Sequence, residues 1–127
     1  MPSPTPRQRL SNIAVVGAGG FLGGMLRFLL DQVAYREVPI STLAINVLGA
    51  FVLPIVTAWI INNDQLRLFF TTGFISSFTT FSAISGTVVV LSTTGSVWLA
   101  VLYVAATMLL GIIAAVIGSA VARRRTS

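Results

Sequence analysis

From Leu68 to Ala122 the chain runs 55 residues without a single charged side chain. An ordinary soluble domain is about 25% charged, and this chain of 127 residues is 9% charged and 55% hydrophobic. A soluble fold of this size cannot cover its surface with so few charges. The medium around most of the chain is therefore lipid, and its mean hydropathy of +0.93 agrees. One bilayer crossing needs about 20 apolar residues. The uncharged run is too long for one crossing and suits two. Thr93-Thr94-Gly95-Ser96 is the natural break, with Trp98 just beyond it as an interfacial anchor.

Two further spans precede that run. Ser11 to Leu30 is interrupted only by Arg27, and Ile40 to Ile61 carries no charge. Asp31 to Pro39 reads as a polar loop, and Asn62 to Arg67 as a turn. Residues 1–10, with three prolines and two arginines, read as a flexible polar tail. The sequence thus predicts an all-α integral membrane protein with spans at about 11–30, 40–61, 68–92 and 97–122, forming one domain over 11–122. Residues 123–127 form a basic C-terminal tail.

Composition excludes much chemistry. There is no His, Cys or Lys. This removes the usual zinc sites, thiol catalysis, disulfides, a Ser-His-Asp triad and a Schiff base. The net charge of +5 comes from arginines at termini and loops, as expected beside lipid and not as a nucleic-acid surface. Asp31, Glu37 and Asp64 all fall in predicted loops. A proton-coupled carrier keeps a carboxylate or His within the membrane, so a passive path or a purely structural protein fits better.

Several residues stand out against this background. Gly19/Gly23 and Gly20/Gly24 have the spacing that lets helix backbones touch in lipid. Arg27, near the end of the first span, either snorkels to headgroups beside the negative end of the helix or marks a functional site. Asn46 lies deep in the second span. Its amide either bonds another helix or lines a wet path. Pro54 in the same span predicts a kink. Residues 71–87 hold nine Ser or Thr among seventeen. So many hydroxyls suit a segment facing protein or water, with a helix broken at mid-membrane. In the fourth span Tyr103 and Thr107 share a face, which Gly111, Ala115 and Ser119 continue with small residues.

Three segments carry a resemblance. Gly17-Ala-Gly-Gly-Phe-Leu-Gly-Gly-Met-Leu-Arg27, Thr42-Leu-Ala-Ile-Asn46-Val-Leu-Gly49 and Thr72-Gly73-Phe-Ile-Ser-Ser-Phe-Thr79-Thr80-Phe81-Ser82-Ala-Ile84-Ser85 together resemble the Fluc (CrcB) family of bacterial fluoride channels, over about Ile13 to Ala122. The resemblance implies a multi-pass protein of the bacterial inner or plasma membrane. It implies fluoride as the ion exported, an antiparallel dual-topology dimer, two narrow pores and a structural Na⁺ at the dimer centre. The Na⁺ would be held by backbone carbonyls that fall on Ser76 and Thr79. The pore residues would fall on Asn46, Phe81, Ser82, Ile84, Tyr103 and Thr107, with Arg27, Gly19 and Gly23 structural.

Three departures bear on that implication. Ser76-Ser77 replaces a Gly-Gly pair and limits positive φ at the break. Ile84 replaces the second pore Phe and removes one aromatic edge. Gly86-Thr87 stands where many members carry an acid. The rival classes are a small four-span carrier, which lacks its required membrane carboxylate here, and a structural or assembly subunit with no pore.

An even number of spans puts both termini on one side. Arg7, Arg9, Arg67, Arg123, Arg124 and Arg125 then oppose only Arg27 and Arg36. This bias orients the chain with its termini in the cytoplasm. Setting aside the tail and the span-end arginine still leaves four against one. A chain that inserts one way does not readily make an antiparallel homodimer, so the natural partner is a homologous subunit of opposite bias, with the homodimer as the alternative. The prediction is a cytoplasmic signal alone from reporters fused at Ser127; comparable signals from both sides would establish dual insertion and restore the homodimer.

Overall fold

The computed structural model describes residues 2–33, 40–60 and 62–126. These form α1 (Pro6–Val33), α2 (Ile40–Trp59), α3 (Asp64–Arg67), a π-helix (Leu68–Ile75), α4 (Ser76–Phe78), α5 (Ser82–Thr93) and α6 (Val97–Thr126). Together they make four stretches long and apolar enough to cross a membrane among the described residues, the third being Asp64–Thr93. Arg36 and Glu37, and most of the predicted loop after the first span, lie outside the described residues.

The helices overrun the predicted spans. α1 begins within the segment read as a flexible tail. Thr5 starts it with a capping box: its Oγ1 accepts from the Gln8 amide at 3.3 Å, and Gln8 Oε1 accepts from the Thr5 amide at 2.9 Å. Pro6 then takes the first helical position, where a missing N–H costs nothing. The prolines therefore delimit a helix start where the sequence reading had an irregular tail. At the other end α1 runs to Val33, so Asp31 sits in its last turn and not in a loop, accepting from Ser41 Oγ at 3.2 Å. The basic tail is likewise helical, since α6 continues through Arg123, Arg124 and Arg125. At about 1.5 Å per residue, α1 and α6 are each longer than the roughly 30 Å hydrocarbon core.

The predicted break between the last two spans is a Schellman turn. Gly95 has φ +84, the sole positive φ among described residues. The Ser96 amide donates to Leu91 O at 2.8 Å and the Gly95 amide to Ser92 O at 3.3 Å. Trp98 and Trp59 are both exposed and lie at opposite ends of the bundle. The Arg125 guanidinium stacks 4.5 Å from the Trp59 ring, holding the end of α6 against the end of α2. On that side Gln65 Nε2 also donates to Ser11 Oγ at 2.7 Å, tying α3 to α1.

α1 packs on the first half of the third span, while α6 packs on α2 and α5. Lipid offers no hydrophobic drive between helices, so close backbone approach does the work. Gly19 and Gly23 are buried. A Cβ at Gly19 would collide with Phe69 O, and one at Gly23 with Phe74 O. Both carbonyls belong to the π-helix, whose wider turn pushes backbone toward α1. Gly73 returns the contact: a Cβ there would lie 2.7 Å from Val16 O. On the opposite side Gly118 of α6 meets the Phe51 carbonyl of α2 in the same way. Pro54 is accommodated within a continuous α2.

These contacts predict a graded glycine series. Gly23→Val should lower stability by about 1–3 kcal/mol through overpacking. Gly17→Ala should be neutral, because nothing lies within 4 Å of its would-be Cβ. Thermal unfolding in detergent, followed by monodispersity, reads both.

Candidate functional site

The third span breaks between α4 and α5. Thr79 is extended, with φ −78 and ψ 152, and the helix restarts at Ser82. Ser76 keeps helical angles, φ −60 and ψ −38. The turn is made by extension at Thr79 and not by a positive φ, so the Ser76-Ser77 pair meets no steric conflict there. The limit on positive φ expected from losing Gly-Gly is real but irrelevant to this geometry.

A break in lipid must be satisfied by protein. Here the second span supplies the partner. Asn46 Oδ1 accepts from the Thr80 amide at 2.8 Å, and Asn46 Nδ2 donates to the Thr80 carbonyl at 3.0 Å. One side-chain amide thus replaces both main-chain bonds of one residue. Thr42, Asn46 and Gly49 share one face of α2 by their spacing. Gly49 is buried against Thr79, whose Cγ2 occupies the place of a Cβ. The first of the two readings of Asn46, a bond to another helix, is therefore realised. The second is also open geometrically, since Asn46 lines a cleft.

That cleft has a volume of about 440 Å³ and is open along one side. Asn46, Ser76, Thr79, Thr80, Phe81, Ile84 and Thr107 line it, so most of the predicted site residues meet there. Phe81 is 80% exposed, its ring projecting from the start of α5. Ile84 turns inward, packing against the buried group of Leu91, Ala100 and Tyr103. Ser82 is exposed at the break, with its Oγ 2.9 Å from Thr80 Oγ1.

Tyr103 and Thr107 separate. Thr107 is 7% exposed and lines the cleft. Tyr103, 6% exposed, is not among the cleft residues; its hydroxyl lies near the hydroxyls of Thr42 and Thr87. All three are buried, forming a hydroxyl cluster that joins α2, α5 and α6. The small residues that follow do not continue one face. Each i+4 step leaves about 40° of drift around a helix, so Ser119 is well rotated from Tyr103. Thr42, Thr80 and Thr87 were not picked out from sequence as site residues. Thr42 had a legible signal in its four-residue spacing from Asn46; Thr80 acts through its backbone, which composition cannot reveal.

The electrostatics of the cleft follow from its hydroxyl protons. Thr71, Thr79 and Thr107 donate to Arg67 O at 2.7 Å, Ile75 O at 3.0 Å and Tyr103 O at 2.8 Å. These hydroxyls show lone pairs outward. The Thr80–Ser82 pair shares one bond and so keeps one proton free to turn. Ser76 Oγ, on an exposed residue, makes no hydrogen bond to the described residues. Arg27 is half-buried near the end of α1 and lies outside the cleft.

The comparisons with known proteins agree with this architecture. The family model described as CrcB-like protein, Camphor Resistance (CrcB), matches residues 14–119. The chain belongs to the CrcB family. A fluoride-specific ion channel FluC from Francisella philomiragia is 33% identical over 117 residues, covering 84% of this chain and 90% of the relative. The FluC channel of Prosthecochloris aestuarii is 33% identical over 125 residues, covering 92% and 97%. That of Roseobacter denitrificans is 34% identical over 122 residues, covering 90% and 97%. No solved structure matches the chain. The CrcB match spans all four crossings, including both halves of the broken one.

The buried hydroxyl cluster gives a prediction separate from any ion path. Tyr103→Phe removes one hydroxyl from this buried cluster and should destabilise the fold by about 1 kcal/mol. Unfolding in detergent measures it; an unchanged midpoint would mean that the cluster contributes nothing.

Proposed function

We propose that the chain is one subunit of a fluoride-selective channel that lets fluoride leave the cytoplasm passively. The observation that carries this reading is the broken third span, held by Asn46 and opening onto a cleft of hydroxyls and one exposed ring, in a chain similar over nearly its whole length to proteins named fluoride-specific ion channels. Fluoride is small and strongly hydrated. Mobile hydroxyl protons and ring edges replace part of its water without a fixed charge that would trap it. The free proton of the Thr80–Ser82 pair and the exposed Phe81 ring stand at the point where α5 begins. The start of α5 also carries the positive end of that half-helix.

The other half of the break suits a cation. Extension at Thr79 leaves the Ser76 carbonyl without a main-chain donor from the next turn, because Asn46 has taken the Thr80 amide, and only the Thr79 hydroxyl reaches it, at 3.5 Å. Among the described residues no group of three His, Cys, Asp or Glu exists. A cation would therefore be met by neutral oxygens, the donor set that Na⁺ accepts. Ser76 and Thr79 are the residues whose carbonyls would hold it. When bound, Na⁺ would neutralise those carbonyls and fix the two halves of the span.

The cleft is open on one side, and a pore needs a second wall. We place a second four-span subunit there, antiparallel to this one and carrying the opposite arginine bias. Ile84 fits such a pair, in which one pore lacks an aromatic edge and the other keeps it. In this reading the termini are cytoplasmic and the protein resides in the bacterial cell membrane.

Fluoride efflux from proteoliposomes tests the proposal. The expected result is efflux with the partner and little with this chain alone; absence of fluoride efflux in both would overturn it. Phe81→Ile should lower the flux roughly threefold to tenfold by removing a polarised ring edge. Equal flux in the two proteins would count against a ring-lined path.

A further inference from the structure

Asn46 is the only amide that the second span contributes to the cleft, and its geometry is unusual for an ion ligand. Its Oδ1 and one Nδ2 hydrogen are committed to the same residue, Thr80, 34 positions along the chain, at 2.8 and 3.0 Å. Two bonds to one residue, one to each of the peptide units that flank its Cα, fix the amide plane. Turning that amide to follow an ion would release both bonds and leave an N–H and a C=O of the break without partners in a half-buried place. Thr80 is also the hinge of the site. It follows Thr79, whose extended backbone makes the break, and precedes Phe81, which borders the cleft. Its own hydroxyl pairs with Ser82 and accepts from the Ala83 amide at 3.4 Å, capping α5.

We propose that Asn46 is a positioning residue: it acts on the ion path by clamping the backbone of Thr80, and its amide does not turn to follow the ion. This deepens the channel reading and rests on it for the word path, but the clamp itself is testable without flux. Through the two peptide units that flank Thr80 the amide sets both the carbonyl side of the break and the direction in which Phe81 projects. The groups free to meet the ion with the clamp intact are then the second Nδ2 hydrogen of Asn46, the unshared proton of Ser82 or Thr80, and Phe81.

The test uses the whole ¹⁵N-labelled protein in lipid nanodiscs, titrated with sodium fluoride against sodium chloride at constant Na⁺. The clamp predicts that the Thr80 amide stays slow to exchange as fluoride rises while amides at Phe81 and Ser82 shift saturably. A fluoride-dependent acceleration of Thr80 exchange would overturn it. Asn46→Leu supplies the second measurement. Amide exchange at Thr80 should accelerate about tenfold or more on loss of its partner, with Gly73 to Ile75 unaffected. Unchanged exchange at Thr80 would also overturn the clamp. If the variant does not fold, the titration of the unaltered protein still decides. A protein that carries no fluoride with any partner sinks the channel reading, whereas Thr80 exchange answers for the clamp alone.

Discussion

Everything in this molecule is arranged around one interrupted helix. In water a break between Phe78 and Ser82 would be hydrated at little cost. In hydrocarbon each orphaned N–H or C=O costs several kcal/mol. The break therefore needs a partner, and the α2 face of Thr42, Asn46 and Gly49 provides it: an amide for Thr80 and a gap for Thr79. The interruption creates two half-helix ends of opposite sign back to back. The carbonyl end suits a cation and the amide end suits an anion. A single extended residue thus brings partial charges of both signs together in a span that carries no charged side chain after Arg67.

Holding such a span demands tight neighbours. The π-helix puts the Phe69 and Phe74 carbonyls where only glycine fits, so α1 and the third span meet backbone to backbone. The rings of the same segment form a ladder: Phe70 and Phe74 lie 6.3 Å apart edge-on, and Phe74 and Phe78 are stacked at 6.0 Å. These contacts make the first half of the span rigid up to the break. On the far side, the buried hydroxyls of Tyr103, Thr42 and Thr87 meet where α5 packs with α2 and α6. The break is then the place where two well-anchored halves meet, which makes its geometry depend on the few bonds at Thr80.

Much of this was legible in the sequence, for definite reasons. The absence of charge from Leu68 to Ala122 forces lipid as the medium, and the hydroxyl density of 71–87 signals a span that does not simply face it. Glycine spacing in α1 pointed to close approach, because in lipid little else brings helices together. Other features were hidden for equally physical reasons. The start at Pro6 depends on a capping box, Thr5 with Gln8, that three prolines obscure. The π-helix leaves no compositional trace. Thr80 matters through its peptide bond, and any residue has one. The stripe from Tyr103 to Ser119 looked like one face because four-residue steps were read as exact helical turns, and the residual rotation sends Tyr103 into the core and later members away from it.

The hydroxyl inventory sharpens the question of selectivity. A count of Ser and Thr overstates what an anion meets, since a hydroxyl that donates to its own helix presents only lone pairs, and lone pairs repel anions. Thr71, Thr79 and Thr107 are in that state. What remains at the break is the unshared proton of the Thr80–Ser82 pair, the second Nδ2 hydrogen of Asn46, the hydroxyl of Ser76 and the edge of Phe81. A path with so few donors cannot strip a large share of a strong hydration shell by itself. It works only if the facing wall brings a comparable set. In the proposed channel, the open side of the cleft and the scarcity of free donors within it would have one remedy, a facing subunit that completes the coordination shell.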